Sequence, residues 1–364
     1  MPLRFPPILL FVALAGAALP RAACAGDCPA LDTTATACVA SAQGWFYAAS
    51  EAEAADMAEA ARQAAALFER HFQRPAVRGA VVSIGSGNAV SAAQKQALQA
   101  QGAAWVLPWI GPHDKRRLAE AQVRRQVEAQ LGATADAAVV QATVAQALAK
   151  LPDGDGATNS ALRHEIGHLL LIHAFPTAHD DATAAGNAHD YGGGLPDWLD
   201  ETAAVLMEDA AMTERRRARL QRTLACGNGD RLPPLARFFV MDHPLSSVAR
   251  ERLAGAAASS EGGSRVLMLS GEQGRELASR GIDFYVQSRA LADFLTEASG
   301  GDATIFAGIA RTLAAGGDMD AWLADEGVRR GLPGDLAALQ DAWQAWLDRL
   351  AATAPACEAA GESA

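Results

Sequence analysis

The chain contains no Cys-x-x-Cys pair, which argues against a cysteine-ligated zinc. It has no Gly-x-Ser-x-Gly, no P-loop and no Gly-x-Gly-x-x-Gly, and "GSGN" at 85–88 is a lone glycine pair of the kind that makes a turn. No internal repeat is present, and the low-complexity look is alanine richness, which favours helix over disorder. Positive charge is also short. With 31 Lys and Arg against 42 Asp and Glu, the 364 residues carry −11, and such an acidic chain binds nucleic acid poorly. The basic run "ERRRARLQR" at 214–222 is the local exception and reads as a solvated helix face.

Long apolar runs are limited to one. Arg4 precedes the stretch Ile8 to Leu19, followed by "PRAACAGDC", the pattern of a secretory signal peptide with a small-x-small site that cuts after Ala25. The mature chain is then expected to have no integral membrane span and to be secreted or periplasmic. Lipoprotein processing at Cys24 is the alternative, disfavoured because Arg21 stands where a lipobox wants an apolar residue. Cleavage leaves four cysteines, an even number suited to two disulfides in an exported chain. Of the three pairings, Cys28 with Cys38 and Cys226 with Cys357 is favoured; free buried thiols are the plain alternative.

What remains reads as an α+β protein. "GWFYAA" suggests a strand, and Ser50 with Glu53 marks the start of a helix that runs to about Phe72, before Pro75. "GAVVSIG" at 79–85 and "GAAWVLPWIG" at 102–111 are further strands, Pro108 placing the last at an edge. Together these predict a small mixed sheet with helix packed on it. Lys115 to Lys150 is helical with a break at Gly132, and "LPDGDGATNS" interrupts the chain before another helix capped by Thr158, Asn159 or Ser160 and ending at Phe175. A further helix starts near Pro196, and the rest is mainly helical. The organisation expected is a signal peptide at 1–25, an N-terminal α/β part at 26–152, two helices and a loop at 153–212, a helical C-terminal part at 213–350 and a tail at 351–364.

The chemistry concentrates in "RHEIGHLLLIHAF" at 163–175. His164 and His168 lie four residues apart, one helical turn along and about 40° round, so both imidazoles can reach one ion, with Glu165 turned by about 100° beside them. This is HExxH, in which the histidines bind zinc and the glutamate handles the proton of a water. The flanking Leu162, Ile166, Leu169, Leu170 and Ile172 make a helix apolar nearly all round, in which two histidines need polar partners. Buried, hydrogen-bonded histidines without metal are the plain alternative. For a third ligand, His173 lies about 140° round from His168 and points away. The metzincin pattern needs a glycine at 171 and a histidine at 174, where Leu171 and Ala174 stand. His179, Asp180, Asp181, His189 and Asp190 on the following loop could reach the ion; Glu201, on the next helix, offers a carboxylate from a rigid element and is preferred.

"HEIGH" followed by "LPDWLDETAAVL" resembles the gluzincin metallopeptidases, specifically the peptidase MA-like group, whose Pro-x-Trp-Leu-x-Glu segment delivers the third zinc ligand. Pro196, Trp198, Leu199 and Glu201 match by position, while Thr202 stands where the family often has glycine. "FYVQSRALADFLTEASGG" at 284–301 and "DAWQAWLDRL" at 341–350 are similar to its later helices, so the resemblance covers about residues 44–350. It implies a zincin-like fold and one zinc ion held by His164, His168 and Glu201. It also implies Glu165 as the base and Tyr285 as the phenol that hydrogen-bonds the oxyanion. Tyr191, His189 and His243 are substitutes for Tyr285, which otherwise reads as a core aromatic. Glu208, seven residues past Glu201, could support a ligand histidine or be a surface carboxylate. The family's Gly-x-Met-Glu-Asn segment for a free N-terminus is absent, which favours an exported endopeptidase acting on peptide or protein over an aminopeptidase. A non-catalytic zinc-binding protein or peptidase-like binding module is the other class.

Overall fold

The computed structural model describes residues 27–85, 89–132, 136–149, 155–177, 193–244, 264–265 and 271–357. The expected signal peptide, with the alternative at Cys24, lies outside these, as do His179, Asp180, Asp181, His189, Asp190 and Tyr191. The architecture is mixed α+β, a four-stranded sheet with mostly helices around it.

Strands β1 (Ala37–Ser41), β2 (Gly44–Ala48), β3 (Gly79–Ser83) and β4 (Trp105–Trp109) lie in that order. β1 is antiparallel to β2, whereas β2, β3 and β4 are parallel. The parallel pairs need crossovers, supplied by α1 (Glu51–Phe72) and α2 (Ala92–Ala100). Pro108 sits on the outermost strand, where its missing N–H costs no ladder bond. β1 adds a strand that the cysteine-bounded leader does not announce, because "ACVAS" is half-buried throughout and lacks the apolar alternation that marks a strand.

The sheet is buried on both faces. Phe46, Ala48 and Val81 meet the large core, while Trp45, Tyr47, Ala80 and Val82 pack with Leu98 of α2. α1 begins where Ser50 accepts the Glu53 N–H, a cap worth about 1 kcal/mol, and ends at Gln73 in left-handed geometry. Its buried stripe of Ala54, Met57, Ala58, Ala61, Ala64, Ala65, Phe68 and Phe72 follows helical spacing, and the alanines let it approach closely. Both expected disulfides form, Cys28 with Cys38 and Cys226 with Cys357. They suit an oxidising compartment. No helix among the described residues is long and apolar enough to cross a membrane.

α3 (Pro112–Leu131) and α4 (Ala137–Ala149) precede α5 (Asp155–Ala174), which carries the HExxH stretch. α5 starts earlier than expected, so Asn159 and Ser160 do not cap it. Ser160 is buried, and its hydroxyl accepts the Asp209 N–H at 3.1 Å instead. α6 (Asp197–Met207) packs on α5 and is followed by α7 (Ala210–Ala225), α8 (Gly271–Ala298), α9 (Ile305–Ala314) and α10 (Leu336–Thr353). α6 stops at Met207, and Glu208 is extended, so it does not continue the helical face of Glu201 as its spacing suggests.

Gly167, in the middle of HExxH, sets the distance between α5 and α6. A Cβ there would lie 2.8 Å from the Ala204 Cα and 3.1 Å from the Ala203 carbonyl oxygen. These are backbone atoms and cannot swing aside. Gly167→Ala is therefore expected to destabilise the fold by about 1–3 kcal/mol by overpacking, read as a lower midpoint in thermal unfolding. An unchanged midpoint would mean that the two helices do not meet this closely.

Candidate metal centre

Three described side chains converge between α5 and α6. Single ligand atoms of His164, His168 and Glu201 lie within 4.8 Å of one another, and all three residues are buried. The two Nε2 atoms face each other at 3.3 Å. Glu201 Oε1 stands 3.3 Å from His164 Nε2, and its Oε2 3.8 Å from His168 Nε2.

The other ring nitrogens explain why those atoms are aimed inward. His168 Nδ1 lies 2.8 Å from Asp200 Oδ2, and His164 Nδ1 lies 3.0 Å from Glu208 Oε1. Asp200 and Glu208 are 1% and 5% exposed. An ionised carboxylate only accepts, so each Nδ1 donates, and in the neutral ring each Nε2 then presents a lone pair. Two lone pairs at 3.3 Å repel unless a proton or a metal cation stands between them. A buried group with this donor set can therefore hold a metal ion.

In the metal-free centre a proton takes the place that a cation would fill. Burial alone would push the His168 imidazole down, but Asp200, backed by Glu201 and Glu165, outweighs it and holds the group up at about 10. Burial likewise pushes the Glu208 carboxyl up, yet its hydrogen bonds from Arg216 and His164 hold it below its ordinary value. His243, 1% exposed, is pushed down to about 3 by burial and by the neighbouring histidines, and is neutral near pH 7.

The α6–α7 turn is tied to α5 by Arg163. Its Nε donates to the Met207 carbonyl at 2.7 Å and its terminal nitrogen to the Glu208 carbonyl at 3.1 Å, which satisfies the open end of α6. Asp209 then caps α7 through the Met212 N–H. At the other end of α6, Asp197 accepts the His243 N–H at 2.6 Å and holds His243 with its Nε2 4.0 Å from Glu201. Thr202 is buried, and its hydroxyl donates to the Trp198 carbonyl at 2.7 Å.

Glu165 differs from its neighbours in being exposed. Lys115, whose ammonium sits 4.3 Å over the Trp109 ring, is held below its ordinary value by desolvation, which the Glu165 charge offsets only in part. Tyr285, on α8, comes to the site: its ring meets His164 edge-on at 5.6 Å and stacks on His243 at 5.4 Å and 22°. His173 is exposed and outside the converging group. Asp200 and Arg216 are the members of the centre that sequence reasoning missed. Asp200 adjoins Glu201, and a second acid directly beside a ligand, between Leu199 and the apolar run from Ala203 to Met207, was the available signal.

Comparison with known proteins adds no family to this geometry: no family model matches the chain, and neither does any curated protein or solved structure.

Glu201→Ala is expected to weaken metal binding far more than His173→Ala, measured by chelator competition, because only the first removes a converging donor. Asp200→Ala should cost about 10–100-fold by releasing the His168 tautomer and ring. If His173→Ala were as damaging as Glu201→Ala, the ligands would not be His164, His168 and Glu201.

Proposed function

We propose that the protein is an exported zinc-dependent metallopeptidase of the gluzincin type with a zincin-like fold, acting as an endopeptidase on peptide or protein. The observation that carries this reading is the 3.3 Å separation of the two histidine Nε2 atoms. Two nitrogens on one tetrahedral zinc at about 2.0–2.1 Å stand roughly 3.3 Å apart. The Glu201 oxygens at 3.3 and 3.8 Å support it as third ligand. Three protein ligands leave the fourth position that a catalytic zinc needs, whereas a structural site is closed by four.

His164, His168 and Glu201 would hold the ion, which when bound supplies Lewis acidity toward a scissile carbonyl and a water. Glu165 accepts the proton of the attacking water and returns it to the leaving nitrogen. Its exposure fits a group that must meet solvent and substrate, unlike the buried carboxylates that orient the ligands. Tyr285 donates its phenol hydrogen bond to the carbonyl oxygen as negative charge develops there. Neutral His243, stacked on that ring, is the second candidate for this role. The absence of a Gly-x-Met-Glu-Asn segment supports internal cleavage, and the paired cysteines support export.

Elemental analysis of the purified mature chain should give one zinc per molecule. Glu165→Gln should retain it while losing about 10²–10⁴-fold in hydrolysis of casein or a peptide library. A folded chain that takes up no zinc after chelation, or a Glu165→Gln variant as fast as the parent, would overturn the proposal.

A further inference from the structure

The basic run at 214–222 is not the uniformly solvated face its composition suggests. Arg217 is partly exposed and pairs with Glu214 and Asp293, but the Arg216 side chain is only 12% exposed and turns inward from α7. Its Nε donates to Glu208 Oε2 at 2.6 Å, and its terminal nitrogen donates to Glu208 Oε1, a two-point fork. Glu208 Oε1 is also the atom that receives His164 Nδ1 at 3.0 Å. The same guanidinium lies 4.9 Å from the centroid of the Tyr285 ring, which in turn meets His164 edge-on. Arg216, Glu208, His164 and Tyr285 thus close a ring of contacts.

We propose that Arg216 is a positioning residue that fixes His164 through Glu208 and holds the Tyr285 ring against the same histidine, linking metal affinity to placement of the phenol. Glu208 needs such a partner. It lies past the end of α6 in extended backbone, so helix geometry does not set its side-chain direction. A planar guanidinium that binds both oxygens fixes the carboxylate plane and leaves Oε1 aimed at Nδ1, which an ammonium, acting as a point charge, does less well. Through the ring, the cation holds Tyr285 by attraction to the π face. One side chain therefore serves two groups, His164 and Tyr285, that stand on different helices and far apart in the chain.

The part concerning Tyr285 rests on the peptidase reading; the part concerning His164 does not, because zinc affinity reports it without any hydrolysis. Zinc dissociation constants from chelator competition would be measured for the full mature chain as Arg216→Ala, Arg216→Lys, Glu208→Gln and the double variant Arg216→Ala with Glu208→Gln. Far-UV circular dichroism and thermal melting run alongside. Arg216→Ala should weaken zinc by about 10–100-fold, Arg216→Lys should recover part of that, and the double variant should be little worse than Glu208→Gln alone. At saturating zinc, Arg216→Ala should lower kcat with KM near the parent value. Parent-like zinc affinity in Arg216→Ala, or full additivity in the double variant, would overturn the proposal. Should Arg216→Ala not fold, Arg216→Lys against the parent decides: equal affinity contradicts the role of the fork. A parent that binds zinc yet cleaves no peptide would sink the peptidase reading and leave the zinc measurements to judge Arg216.

Discussion

His164 and His168 each set one ring nitrogen against a buried carboxylate, and that pair of contacts is the constraint on which the rest of the centre depends. Asp200 at 2.8 Å and Glu208 at 3.0 Å make both Nδ1 atoms donors, which turns the two Nε2 atoms toward each other and toward Glu201. Buried carboxylates without partners are costly, and so are facing lone pairs. Each charge is tolerable only because the next is in place: Arg216 against Glu208, the histidines against Asp200 and Glu208, and among His164, His168 and Glu201 a proton, or a metal ion when one is bound. Removing any one member exposes a neighbour, so the cluster is expected to respond as a unit.

The fold supplies the burial and the short distances. Gly167 lets α6 lie against α5, which brings Asp200 and Glu201 from one helix onto both histidines of the other. Arg163 and Ser160, on α5 itself, bind the turn that follows α6 and so deliver Glu208 from outside the helix. The sheet and α1 serve mainly as the floor on which α5 rests; their packing is apolar, with alanine and phenylalanine in helical register. Glu165, on the same helix, stays exposed because the step of about 100° between neighbouring residues turns it out of the α5–α6 contact.

Much of this was legible from residue spacing, and the rest was hidden for identifiable reasons. His164 and His168 are related by a single helical turn, and exclusion of His173 follows from the same period, so local geometry suffices. Strands β2, β3 and β4, α1 with its Ser50 cap, and the two cysteine pairs also follow from local pattern and cysteine arithmetic. Glu201 depends on a second helix and was reached through the segment around Trp198. Glu208 and Arg216 depend on where α6 ends and how α7 turns back, which no periodicity reports; a continued helix would have placed Glu208 elsewhere. Ser160 looked like a cap because hydroxyls favour that place, but a tertiary partner at Asp209 claimed it. In β1, half-burial erased the alternation by which strands are read.

The most direct measurement is X-ray absorption at the zinc edge on the purified protein, compared with the Glu201→Ala and His168→Ala variants. The account predicts a first shell of nitrogen and oxygen at about 2.0–2.1 Å with imidazole outer-shell features and no sulfur, the imidazole signal falling when His168 is removed and the shell changing when Glu201 is removed. A zinc shell containing sulfur, or one that neither substitution alters, would contradict it.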